Sequence, residues 1–84
     1  MFKSINAGFG VSKHGHHTGV SPLKPFIFNT QFVSTVKPVT TTLISEEDTY
    51  ATNTFNKPLL LVTMSNNNTF YVDMDIDDFY TFIS

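Results

Sequence analysis

The clearest hydrophobic pattern lies in the last third of the chain. Leu59–Met64 is almost continuously apolar, which is typical of a central strand covered on both faces. Asn66–Asn68 follows and suits a tight turn, because asparagine tolerates the left-handed backbone conformation that such turns need. Phe70, Val72 and Met74 then alternate with polar residues, as in a strand with one buried face. The pattern predicts two antiparallel strands joined by the asparagine turn.

The hydrophobic period becomes helical near the end of the sequence. Apolar residues follow the spacing i, i+3, i+4 and i+7 of one helical stripe, at Ile76, Phe79, Tyr80 and Ile83. Asp75 is the predicted N-cap, and Asp77 and Asp78 lie in the first turn, where the helix dipole favours negative charge. A helix this short is marginal alone in water, so we expect it to pack on the sheet.

Residues 26–37 alternate with a period of two. Phe26, Phe28 and Phe32 fall on one face, which predicts a half-buried strand whose phenylalanines pack in the core. Stacking of nucleic-acid bases on these rings is the weaker interpretation, because few positive charges flank them. Pro38 has no N–H to donate, so it is predicted to interrupt the strand.

A second strand is predicted over Val39–Ser45, whose threonines suit a sheet surface. Ser45–Asp48 resembles a helix start, but the residues after it are poor helix formers, so we expect one turn and then a loop to Lys57. Residues 26–84 are thus predicted to form a small α+β domain that is β-rich. It has about four strands, mostly antiparallel, and a short C-terminal helix.

Residues 1–25 show no sustained hydrophobic period and contain all four glycines, all three histidines and two prolines. The sequence predicts an extended N-terminal arm that has no core of its own and gains order on another protein surface. The predicted interface residues of this arm are Phe2, Ile5, Phe9, Val11, Lys13, His14, His16, His17, Val20 and Leu23.

Composition narrows the function classes. The 84 residues include no cysteine and no arginine, and the net charge is −2. A disulfide framework is therefore excluded, and nucleic-acid binding is disfavoured. No apolar run is long enough to span a bilayer, and no signal peptide is evident, so we expect an intracellular or virion protein. Residues 1–37 carry four lysines and no acid (+4), and residues 38–84 carry one lysine against seven acids (−6), which favours docking between oppositely charged surfaces.

Two clusters have ligand-type side chains. His14, His16 and His17 are weak candidates for a metal site, because they sit between glycines and no acid precedes Ser45. The aspartates from Asp73 onward lack the glycine and glutamate of a calcium loop, and a strand leading into a helix start explains them. No catalytic constellation is evident, so we predict neither an enzyme nor a cofactor.

The sequence favours a non-enzymatic structural or assembly protein. It would be a small subunit of a multi-copy particle, for example a minor or decorating virion protein, that binds neighbouring subunits through its arm. One alternative is a monomeric protein-binding module that offers the edge of the 26–37 strand to a peptide. Another is a metal-binding protein built on the histidine cluster.

Overall fold

A computed structural model describes residues 1–13, 15–43 and 55–84. These residues form a β-rich fold with one short C-terminal helix, α1 (Ile76–Ile83). A 3-10 helix covers Thr30–Phe32. The described strands are β1 (Phe2–Ala7), β2 (Gly10–Lys13), β3 (His16–Val20), β4 (Lys24–Asn29), β5 (Val33–Leu43), β6 (Phe55–Met64) and β7 (Thr69–Val72).

The strands lie in two sheets that meet at Gly8. One sheet pairs β1 with β4, and the other has the order β2-β3-β5-β6-β7. Every strand pair is antiparallel except β3 with β5, which touch at Val20 and Leu43. Gly8, between β1 and β2, exchanges two backbone hydrogen bonds with Tyr71 of β7, at 2.9 and 2.8 Å. This bridge links β7 to the residues just before β2, the strand at the other edge of the larger sheet.

The predicted hairpin of two strands and the helix that follows it are both present in the structure. β6 and β7 pair antiparallel, and Asn67 in the turn between them has a φ of 70°, the left-handed conformation expected of asparagine. Asp75 caps α1 and accepts a hydrogen bond from the Asp77 N–H at 3.4 Å. The helical turn predicted over Ser45–Asp48 lies outside the described residues.

Phenylalanine rings join the helix to the sheets. Phe79 of α1 is fully buried and stacks on Phe28 of β4, with ring centroids 6.4 Å apart. Phe28 also contacts Phe70 of β7 at 5.2 Å. Lys3 of β1 donates a hydrogen bond to the Phe82 carbonyl near the end of α1, and its ammonium lies 5.0 Å from the Phe82 ring centroid. The helix is thereby held directly by β1 and β4, and Phe28 links it to β7.

The N-terminal segment lies on the sheets of its own chain, which differs from the predicted arm. β1–β3 and the start of β4 all fall within residues 1–25, and Ala7 and Val20 are 2% and 0% exposed. Three sets of backbone hydrogen bonds order this segment: β2 pairs with β3, β1 pairs with β4, and Gly8 pairs with Tyr71 of β7. An added Cβ at Gly8 would lie 2.5 Å from the Ser21 carbonyl oxygen, so only glycine permits this close approach.

The sequence predicts one strand over residues 26–37, but the structure divides this range between β4, the 3-10 helix and β5. The Asn29 side chain accepts a hydrogen bond from the Gln31 N–H at 3.1 Å and caps the 3-10 helix there. The Thr30 N–H donates to the Met1 carbonyl at 2.8 Å. The chain therefore turns after β4, and β5 continues in the other sheet.

Pro38 lies inside β5 without ending it, so the predicted interruption is wrong. The Met64 N–H donates to the Asn68 carbonyl at 2.8 Å, which directs the backbone groups of even-numbered β6 residues toward β7. Leu60 belongs to this set and is the β5 partner of Pro38. That pair exchanges no hydrogen bonds, so the N–H that proline lacks would have pointed away from β6.

Candidate functional site

A groove of about 710 Å³ opens beside the smaller sheet. One wall is the β4 segment 26–29, and the other is the β6–β7 turn, residues 66–69. The rings of Phe26 and Phe70 lie 5.1 Å apart at its base. Phe9 packs edge-on against Phe26 at 5.3 Å. We call this the aromatic groove.

Four large apolar side chains around the aromatic groove are open to solvent. Phe2, Ile27, Phe32 and Phe9 are 71%, 68%, 54% and 45% exposed. At about 200 Å² for an aromatic side chain and slightly less for isoleucine, these fractions sum to about 450 Å² of apolar surface. Patches of this size are the largest that monomeric proteins normally expose, and they are often functional.

The side chains that line the aromatic groove are uncharged. None of its lining residues carries a charge, and its polar groups come from backbone, Asn29, Asn66–Asn68 and Thr69. Its lining therefore offers no acidic or basic side chain to a charged ligand, and the N-terminal ammonium of Met1 lies beside it, 3.1 Å from Asn29 Oδ1. Its chemistry suits another apolar surface, with asparagine amides at the rim to meet polar backbone groups.

The wall formed by β4 is a sheet edge. Because the Thr30 N–H donates to the Met1 carbonyl, residues 24, 26 and 28 direct their backbone groups toward β1. Pro25, Ile27 and Asn29 therefore direct theirs to the opposite side. Within the described part of the chain, no strand pairs with that side. The edge offers the carbonyls of Pro25 and Ile27 and the N–H groups of Ile27 and Asn29, because proline has no N–H and the Asn29 carbonyl is the first acceptor of the 3-10 helix.

The predicted interface residues divide into several sets. Phe2 and Phe9 are exposed at the aromatic groove. Val20 is fully buried in its own chain. Ile5 is partly buried against the core cluster. Val11 and Leu23 are half-buried.

The histidine cluster lies largely outside the description. His14 is not among the described residues, and for Lys13, His16 and His17 the backbone alone is described, in β2 and β3. Among the residues that are described, no three histidine, aspartate or glutamate side chains gather as a metal site.

Sequence reasoning missed two exposed residues of the site. Ile27 and Phe32 were both assigned to a single strand, with Phe32 in the core. The 3-10 helix between β4 and β5 places Phe32 at the groove instead. The signal was the polar run Asn29–Gln31, which interrupts the apolar alternation and provides the cap.

Comparison with known protein families, curated proteins and solved structures finds no match. No helix within the described ranges has the length and apolar character needed to cross a membrane.

A second cavity, of about 530 Å³, lies beside the start of α1. Pro38, Pro58 and Leu59 contribute to its apolar lining, and Asp73 and Asp75 are among its acids. Asp73 forms an ion pair with Lys57 at 2.7 Å. These aspartates have local structural roles, as a surface pair and as a helix cap.

Proposed function

We propose that the protein is a non-enzymatic structural or assembly protein, a small subunit that binds neighbouring protein subunits in a multi-copy assembly. The observation that carries the proposal is the aromatic groove, where four exposed apolar side chains surround an uncharged cleft. The contact surface differs from the one expected from the sequence. It lies on folded strands and uses Phe2 and Phe9 together with Ile27 and Phe32.

The exposed area is large enough to support association. Removing about 450 Å² of apolar surface from water contributes about 11 kcal/mol at 25 cal/mol per Å². Association costs about 4–15 kcal/mol in lost translational and rotational freedom. The two magnitudes are comparable, and ordering the side chains of the interface costs about 0.5–1.5 kcal/mol each in addition, so a complementary apolar surface on the partner is needed for stable association.

The test compares the native mass of the protein with that of a double variant, Phe2→Ser with Phe32→Ser. Both side chains are more than half exposed, so their replacement should leave the fold intact. The expected result is loss of assembly, measured by sedimentation or native mass spectrometry. Tyr80→Ser is the matched control, because Tyr80 is 49% exposed on α1 and does not line the groove. An unchanged mass in the double variant would refute the proposal.

A second function is supported by the unpaired edge of β4. A monomeric module could bind an extended apolar peptide there, with backbone hydrogen bonds along the edge and side chains in the aromatic groove. The wild-type protein separates the two functions. A stable monomer at micromolar concentration that binds apolar peptides supports the module, and a defined oligomer supports the assembly subunit.

A further inference from the structure

We infer that the contacting partner at this surface is a second copy of the chain, paired antiparallel along β4 about a two-fold axis at Ile27. The two β1–β4 sheets would then join into one sheet with the order β1-β4-β4-β1. This inference rests on the proposed assembly function and specifies the partner and the register. Its basis is the direction of the backbone groups on the unpaired β4 edge.

The positions of proline and asparagine on that edge select the register. With Ile27 opposite Ile27 of the second copy, the two residues exchange reciprocal hydrogen bonds. Pro25 then lies opposite Asn29 of the second copy, and each Asn29 N–H donates to a Pro25 carbonyl. An axis at Pro25 would place two residues without N–H groups opposite each other. An axis at Asn29 would require pairing by Gln31, which lies in the 3-10 helix.

The uncharged side chains that line the aromatic groove favour a second copy over a partner with a charged contact surface. A two-fold axis brings each residue near its own counterpart, so charged residues at its centre would repel one another. Here the centre is Ile27, and the groove lining is uncharged. Lys24, the charged residue of β4, falls opposite Thr30 of the second copy in the proposed register.

The exposed area matches the needs of a dimer. A standard interface buries about 800 Å² per partner, of which about 56–65% is apolar. That corresponds to about 450–520 Å² of apolar surface on each copy, against about 450 Å² around the aromatic groove. Pairing would also extend a two-stranded sheet, which is marginal alone, to four strands.

Disulfide crosslinking tests the register directly. The chain contains no cysteine, so Ile27→Cys introduces a single thiol. Hydrogen-bonded antiparallel partners have Cα atoms about 5.5 Å apart, within the range of disulfides. Mild oxidation should therefore give a covalent dimer. In Ser4→Cys, the matched control on β1, the thiols would be separated by three strand spacings, about 14 Å, and should remain unlinked. Equal crosslinking of both variants, or of neither, would overturn the inference.

A proline pair separates this inference from the proposed function. Ile27→Pro removes an N–H that points away from β1, so the β1–β4 ladder is kept while dimerisation should weaken about tenfold or more. Ser4→Pro is the control, because Ser4 lies opposite Ile27 and directs its backbone groups to the other edge of β1.

Sedimentation equilibrium measures the dissociation constant of both proline variants. If Ile27→Pro associates like the wild type while the Phe2→Ser/Phe32→Ser variant does not, the β4 register is wrong and the assembly function stands. If the wild type is monomeric at every concentration, the assembly function and the β4 dimer are both refuted.

Discussion

Gly8→Ala gives the most direct test of how the N-terminal segment joins the rest of the fold. Gly8 is the point where β7 meets the junction of β1 and β2 through two backbone hydrogen bonds. A Cβ at this position would lie 2.5 Å from the Ser21 carbonyl oxygen and 2.6 Å from a methyl carbon of Val20. Ordinary contact begins at 3.4 Å, so the backbone must shift by about 0.9 Å.

The cost of this shift has two parts. Overpacking a filled site typically costs about 1–3 kcal/mol. Distorting the two hydrogen bonds between Gly8 and Tyr71 adds about 0.5–1.5 kcal/mol for each bond that is lost. We expect a loss of about 3 kcal/mol in the free energy of unfolding. For a domain of this size that loss lowers the melting temperature by about 12–24 °C.

The assay is urea or thermal unfolding followed by far-UV circular dichroism. Asn6→Ala is the matched control, because Asn6 is an exposed residue of β1 and its truncation should change stability by about 0.5 kcal/mol at most. If Gly8→Ala is as stable as the wild type, residues 1–25 do not pack on their own chain, and the bridge between Gly8 and Tyr71 is refuted.

Three further substitutions test other parts of the fold, each by equilibrium unfolding. Phe79→Ala should lower the free energy of unfolding by about 3–5 kcal/mol and release α1, because the fully buried ring stacks on Phe28. A loss below about 1 kcal/mol would contradict this packing. Lys3→Met should cost about 1–2 kcal/mol through loss of the bond to the Phe82 carbonyl, and equal stability would show that this contact contributes nothing. Asn67 has a φ of 70°, so Asn67→Gly should be neutral or stabilising and Asn67→Val should lower the free energy of unfolding by about 1–2 kcal/mol. A valine variant more stable than the glycine variant would exclude a left-handed conformation at this position.

The parts of the fold that were predictable depend on contacts close in sequence. The β6–β7 hairpin follows from an apolar run, an asparagine turn and an alternating strand, all within a short stretch. The Asp75 cap and the α1 stripe are equally local. In each case the residues within the element are sufficient to determine its secondary structure.

The parts that were missed depend on partners distant in sequence. β1 has no strong periodicity, and its pairing with β4 is decided by residues about twenty positions away, while the adjacent Gly8 pairs with a residue about sixty positions away. The strand break predicted at Pro38 was wrong for a related reason. A proline ends a strand only where a backbone N–H is needed for pairing, and that need depends on the register with β6.

The groove was only partly predictable. Phe2 and Phe9 were expected to contact another protein because they are aromatic residues in a glycine-rich segment. The exposure of Ile27 and Phe32 was not predictable, because it depends on the turn that the 3-10 helix makes after β4.

The bridge between Gly8 and Tyr71 has a consequence for how the chain folds as it is synthesised. Residues 1–29 can form their hairpin first, but the apolar face that carries Phe28 is covered only when Phe70 and Phe79 have been added. At about 5–20 residues per second, the ribosome needs about 2.5–10 s to extend from residue 29 to residue 79. During that interval the nascent hairpin exposes phenylalanine, so chaperone binding should be strongest on chains halted before Phe70.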